Sequence, residues 1–348
     1  MNTVTRKSVE MTAIKGSPSG PGTMKLSLRR NRSILVGCAA LFTLMLAGAL
    51  LVDSFLSASN VRSMLLLAAF LALASLGQTL CALLGSLDLS IPFVIGAANI
   101  GLASLISHGV PTEIAVAVVI VVAAVIGLVN GAASFRIQGQ ALIVTLGIGF
   151  AVVGAVQILV SIGSEFGGNV VAQIPDWLSS MASMNGSTLG IPVPPVVVIC
   201  AVVGALVLYF ARTNRHGRAF YAIGGNRTSA KRLSISEWKF WLIAYVASAV
   251  MAAVTGMLLL GFSGGGFVGV GDPYLFTTVA AVVIGGTSLL GGHGGYGLTI
   301  LGALVLTVLT SLLVGMGLSY AAQQSILGLL IVPMVALYAR APHLRMQI

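Results

Sequence analysis

Apolar runs about as long as a bilayer is thick recur from residue 33 to residue 339, separated by polar interruptions. A helix needs about twenty such residues to cross the hydrocarbon core, and inside that core every backbone N–H and C=O must be paired within the protein. The repeated run length therefore restricts the chain to a bundle of membrane-crossing helices. Composition agrees: 57% of residues are hydrophobic and 7% are charged, where a soluble domain carries about a quarter charged.

Spans are expected at 33–52, 61–84, 89–107, 114–135, 141–162, 194–211, 238–261, 274–290, 296–316 and 321–339. The fold class is all-α: a polytopic integral membrane protein, one domain over 33–340, with about ten helices. The run Ser33–Val52 is too long for a signal-peptide core. Gly85-Ser86-Leu87-Asp88 and Gly291–Gly297 interrupt otherwise apolar stretches. They are either turns or breaks at membrane depth, which are tolerated where they are buried or line a cavity, so eight or nine full spans also fit. An offset of five helices maps the second to fifth spans onto the seventh to tenth and pairs break 85–88 with break 291–297. Because five is odd, the halves run in opposite senses, the inverted repeat of alternating-access transporters.

Charge sets the expected orientation. Residues 1–32 hold seven bases and one acid, and so does the stretch Arg212–Lys239. Lys and Arg resist translocation, which puts both segments and both termini on the cytoplasmic side. Residues 1–32 read as a disordered basic tail and 341–348 as a short C-terminal tail. The formal charge of +10 would suit nucleic acid, but its clusters flank apolar spans, so topology accounts for it and no nucleic-acid partner is expected. Cys38, Cys81 and Cys200 lie in apolar runs without metal or redox spacing and read as small hydrophobes. No cofactor or metal is expected.

Within the basic stretch, Gly217-Arg218-Ala219-Phe220-Tyr221-Ala222-Ile223-Gly224-Gly225-Asn226 precedes Arg227-Thr228-Ser229-Ala230-Lys231-Arg232-Leu233. The paired glycines permit a tight turn, and Asn226 or Thr228 can cap a short helix to about Ile235. Such a charged, surface-parallel helix is a docking knob for a soluble partner, or else a solvated topogenic loop.

This stretch resembles the coupling segment of carbohydrate-type permease subunits of ABC importers, the ribose, xylose and autoinducer-2 group. The match runs through Gly217, Arg218, Tyr221 to Asn226, Ala230, Leu233 and Ser234. Three further motifs follow the family's order: Gly77-Gln78-Thr79 through Asp88-Leu89-Ser90, Ile143–Gly147, and Ala280–Gly292. The chain departs from the pattern at His216, at Ile235-Ser236, and at Ser86 and Pro92. The resemblance implies a passive channel subunit in the bacterial inner membrane that pairs with a second permease, identical or paralogous. It also implies an ATPase bound on the cytoplasmic loop and sugar delivered by an extracytoplasmic binding protein. Arg218, Gly224, Gly225, Asn226, Ala230 and Arg232 are then the expected coupling residues, the arginines pairing with acids on the ATPase.

Asp88 is the one acid within the block 61–107. An ionisable group at membrane depth is by default a functional candidate, while Ser90 beside it offers a purely local helix cap. Gln78, Ser90, Asn99, Asn130, Thr145, Gln157, Thr287 and Ser288 are neutral polar side chains expected in or beside spans, suited to sugar hydroxyls as a set and to interhelical bonding one by one. Gln78, Asp88, Ser90, Thr145, Thr287 and Ser288 are the expected pathway residues. Two glycine patterns, Gly264-x-Gly266-x-x-Gly269 and Gly292-x-Gly294-x-x-Gly297, mimic a dinucleotide fingerprint. They follow no strand of a βαβ unit, and Leu298 stands where a phosphate-binding lysine belongs, so neither reads as a nucleotide site and no enzymatic activity is expected. Gly127-x-x-x-Gly131 is a helix-packing face. The outer segment 163–193 lacks any base, and Pro175-Asp176-Trp177 starts an interfacial helix there, either a docking surface or a plain connection. Two alternatives stand: a proton- or cation-coupled secondary transporter with Asp88 as carrier, and an ABC permease for branched-chain amino acids.

Overall fold

The computed structural model describes residues 32–137, 139–161 and 169–339, so the two expected tails and part of the outer segment lie outside the described residues. Thirteen helices follow in order: α1 (Arg32–Leu51), α2 (Ala58–Leu83), α3 (Ile91–Ser107), α4 (Thr112–Arg136), α5 (Ala141–Ser161), α6 (Asp176–Ala182), α7 (Pro195–Thr213), α8 (Arg215–Gly225), α9 (Arg227–Arg232), α10 (Glu237–Ser263), α11 (Tyr274–Gly285), α12 (Tyr296–Gly315) and α13 (Tyr320–Ala339). Each expected span coincides with a helix to within a few residues. The largest difference is at 286–290, where Gly286 takes a left-handed conformation at φ 95° and ends α11 early. Eight helical stretches among the described residues are long and apolar enough to cross a membrane, and Ile91–Ser107 is a shorter apolar helix.

Burial sorts the helices. Of the most apolar window of α2, 83% is buried, and of α10, 61%, against 11% for α1 and 17% for α5 and α7. The first two therefore form the axis of the bundle, and the others turn apolar faces outward, as lipid contact requires. Packing on the axis is reciprocal: α4 lies along α10, and α12 lies along α2. Gly127 and Gly131 make the first contact possible, because a Cβ at Gly127 would meet Val246 Cα at 2.6 Å and the Tyr245 carbonyl at 2.7 Å. The second contact carries a Thr79–Thr299 hydroxyl bond at 2.8 Å and a bond from the Tyr296 hydroxyl to the Ala72 carbonyl at 3.0 Å.

Each axial helix ends in a stretch without α-helix and is followed by a shorter α-helix: α2, then 84–90, then α3; α10, then 264–273, which holds a 3-10 turn at Val268–Gly271, then α11. These are the counterparts under the five-helix offset, so the partner of break 85–88 is 264–273 and not 291–297. Glycine density pointed to the wrong pairing because 291–297 is richer in glycine for a different reason, described below.

The stretch 264–273 is threaded into the bundle instead of looping over it. Gly264 ends α10 at φ 74°. Gly266 then sits against Ala103 and Ile100, the carbonyl of Val268 presses on Gly96, and Gly271 presses on the carbonyl of Pro92. It thus follows α3 from Ala103 to Pro92, about 16 Å at 1.5 Å per residue. Asn99 secures it, accepting from Phe267 N at 2.9 Å and donating to the Gly256 carbonyl at 3.1 Å. Gly266-Phe267 also pairs antiparallel with Asn169-Val170. The expected helix after Pro175 is α6, whose Leu178 and Ala182 are buried against the bundle while Trp177 is 43% exposed.

Candidate functional site: a basic knob seated on two turns

At one end of the bundle α8 and α9 form a compact knob. Asn214 caps α8 by accepting from His216 N at 3.0 Å, and Asn226 caps α9 by accepting from Ser229 N at 2.9 Å. Ala219, Phe220, Ile223 and Ala230 turn inward onto Cys81, Leu84, Phe240, Trp241 and Tyr245. Arg212, Arg215, Arg218, Lys231, Arg232 and Lys239 are exposed. The knob is thus apolar inside and polybasic outside. Tyr221 is partly buried between knob and bundle; burial pushes its phenol up, nearby Arg212 opposing in part, and the neutral hydroxyl donates to the Gly294 carbonyl at 3.1 Å.

The knob rests on backbone. Gly224 leaves no room for a Cβ between the Leu83 carbonyl and Gly292 N. Gly292 N in turn donates to Leu83 O at 3.0 Å. A Cβ on Gly291 would stand 2.8 Å from Gly224 O and 3.1 Å from Gly85 N. The end of α8 and two glycine turns remote in sequence therefore meet main chain to main chain, which is why 291–297 is so rich in glycine. Gly291, Gly292, Gly294 and Gly295 all have positive φ, and Thr287 Oγ1 stitches the turn by accepting from Gly295 N at 3.1 Å.

Turn 84–90 is held by side chains from five different helices. Arg227 of α9 donates to the Leu84 carbonyl at 3.2 Å. Tyr245 of α10 shares a 2.7 Å hydroxyl bond with Ser86 and donates to Leu87 O at 3.2 Å. Gln78 of α2 accepts from Asp88 N at 3.3 Å, and Thr145 of α5 accepts from Leu89 N at 3.0 Å. Asn130 of α4 donates to Ser90 Oγ at 2.6 Å, and Ser90 donates to Asp88 Oδ1 through both its N–H (2.9 Å) and its hydroxyl (2.6 Å). Non-helical backbone survives in the interior only when its polar groups are satisfied in this way. Asp88 is 1% exposed. Its Oδ2, with Ser75 Oγ, Gln78 Nε2, Asn130 Oδ1 and Ser248 Oγ, keeps hydrogen-bonding capacity that no other described group takes up. Ser248 stands beside Asp88, though not aligned as a hydrogen bond, and lies over Gly77.

Residues 60–335 match the family described as "Branched-chain amino acid transport system / permease component". The chain belongs to that permease family. It is 31% identical over 279 residues to the probable ABC transporter permease protein YphD of Escherichia coli K12, covering 80% of this chain and 81% of that one. It is 29% identical over 325 residues to the fructose import permease protein FruG of Bifidobacterium longum (90% and 93%). The ribose import permease protein RbsC of Escherichia coli K12 is 29% identical over 283 residues (80% and 85%).

In this permease Gln78, Asp88, Ser90 and Thr145 come together at one turn, joined by Asn130 and Ser248. Asp88 bonds locally to the Ser90 N–H and hydroxyl, but the N-cap position of α3 is Ser90 and not Asp88, and the carboxylate lies at the centre of a buried polar nest. Thr287 and Ser288 lie past the end of α11, in the turn under the knob, and Gln157 is on an exposed face. Of the expected coupling residues, Gly224, Asn226 and Ala230 build the knob and its seat, Gly225 backs onto Gly292 with its main chain while a Cβ on it would meet nothing within 4 Å, and Arg232 is exposed. Arg218 donates to the Thr213 carbonyl at 2.9 Å and so closes the end of α7. Sequence reasoning missed Arg227, Trp241, Tyr245 and Ser248. The available signals were an acid, Glu237, inside a basic stretch, and aromatic residues four apart near the start of a span.

Proposed function

We propose that this permease forms the translocation pathway of an ABC importer for a monosaccharide or a related small polyol. A separate ATPase binds the knob, and the knob end faces the cytoplasm of a bacterial cell with the chain in the inner membrane. The observation that carries this reading is the seat of Gly224 on the Leu83 carbonyl and Gly292 N. A partner pushing on the knob pushes on the turn that holds the polar nest, and its differential affinity for two positions of the knob supplies the shift between states. The six exposed bases suit a partner surface bearing acids. Of the first coupling set, Gly224, Asn226 and Ala230 serve the knob's shape and Arg232 the contact. A binding protein docks at the opposite end, around α6, and a second permease, identical or paralogous, completes the channel.

The nest at Gln78, Asp88, Ser90, Asn130, Thr145 and Ser248 offers donors and acceptors for hydroxyl groups. The relatives printed as fructose and ribose permeases favour a sugar, whereas the family's description carries branched-chain amino acids. A zwitterion asks for both signs of charge, and the nest has one acid and no base.

The test is co-reconstitution with the ATPase and binding protein, measuring uptake of radiolabelled ribose, fructose and leucine. ATP-dependent uptake of a sugar is expected. Leucine uptake alone overturns the substrate reading, and uptake without the ATPase that collapses with an ionophore overturns the importer reading.

A further inference from the structure

Six of the seven bases in the Arg212–Lys239 stretch are exposed, and the seventh, Arg227, is half-buried and bonded back to the bundle. Its guanidinium works in three directions at once. Nη2 donates to the Leu84 carbonyl at 3.2 Å, Nε stands 3.3 Å from Glu237 Oε1, and Cζ lies 5.2 Å from the centre of the Trp241 ring. Leu84 opens the nest turn, while Glu237 and Trp241 belong to the first turns of α10, the axial helix. Trp241 is itself anchored, donating from Nε1 to Ser134 Oγ on α4 at 3.0 Å. Ser134 Oγ donates to the Asn130 carbonyl at 2.6 Å, and the Asn130 side chain leads through Ser90 to Asp88.

Knob, axial helix and nest turn therefore share one side chain. We infer that Arg227 is the positioning residue that converts displacement of the knob into displacement of the Leu84–Ser90 turn, with Glu237 and Trp241 as its fixed bearing. A planar fork can hold a carbonyl and a carboxylate in two directions; a lysine ammonium is a point charge on a flexible stem and cannot fix both. The exposed bases serve docking, and Arg227 serves transmission. This inference rests on the proposed reading that an ATPase docks on the knob.

Cys81 is a native reporter, because it is buried in the last turn of α2 and packs in the same cluster as Leu84 and Ile223. The experiment uses the permease with Cys38→Ala and Cys200→Ala, purified with its ATPase from host membranes and placed in nanodiscs. N-ethylmaleimide labelling of Cys81 is followed with and without ATP and vanadate. The rate is expected to change about threefold or more on trapping. Arg227→Lys and Arg227→Gln are expected to abolish that change while ATPase co-purification and thermal unfolding stay as in the parent. An unresponsive parent, or a variant that responds like the parent, overturns the inference. A variant that sheds the ATPase or melts early assigns Arg227 a purely structural role and also overturns it. A parent that brings no ATPase from the membrane overturns the importer reading itself.

Discussion

Gly224 and Gly225 are adjacent in sequence and unlike in space. A methyl on Gly224 collides with main chain on two sides, whereas one on Gly225 meets nothing within 4 Å. Gly224→Ala is expected to cost on the order of 1–3 kcal/mol, since neither backbone neighbour yields easily, and Gly225→Ala under about 0.5 kcal/mol. Thermal unfolding in detergent, with ATP-dependent uptake as the second readout, separates the two. Ser234 is a second such residue: it closes α9 at φ 58°, and Ile235 N donates to Ala230 O at 3.1 Å across it. An L side chain in that conformation is strained, so Ser234→Gly is expected to raise stability by about 0.5–1 kcal/mol, seen as a higher melting temperature. The motif was legible in the residue letters. Which glycine bears the contact was not, because the two letters are the same and only the neighbours differ.

Among the elements, α3 and the stretch 264–273 form one unit. Glycines on both sides, Gly96 on the helix and Gly266 and Gly271 on the threaded segment, let main chain approach main chain, and Asn99 supplies the directional bonds. Asn99→Ala orphans the N–H of Phe267, at about 1–3 kcal/mol for a buried group left unpaired, and removes a second bond from the Gly256 carbonyl, which stays in the α10 ladder. Faster amide exchange confined to 264–273, with the knob unaffected, is the expected result. The spans themselves were readable, because twenty apolar residues in a row permit little but a helix. The threading of 264–273 was not, since Ser263-Gly264-Gly265-Gly266 spells a loop wherever it lies, and depth in the bundle is set by what packs against it.

Across the whole molecule, the reciprocal packing of α4 on α10 and α12 on α2 makes the halves interlock, so neither axial helix is buried without the other half. The knob sits at one end and α6 at the other, which gives the topology a direct test. Cysteines placed at Lys231 and at Asn185 in a Cys38→Ala background are expected to react with a membrane-impermeant maleimide from opposite sides, Lys231 from the cytoplasmic side. Charge separates docking from structure at the same scale. Arg232→Glu, on the exposed face, is expected to weaken ATPase co-purification about tenfold or more with the melting temperature unchanged. Arg218→Ala releases the end of α7 and is expected to lower the melting temperature by a few degrees.

The sequence alone determined the membrane-length helices and the polybasic segment, because hydrophobic run length and net local charge are additive properties of the letters. The tertiary structure alone decided that Leu83–Ser90, Gly224–Arg227 and Gly291–Gly295 share one junction, and that Arg227 bonds back to the bundle while the other bases of its stretch are exposed. Contacts between segments more than sixty residues apart depend on how close two backbones can come, and that distance is fixed by the packing of all the helices together.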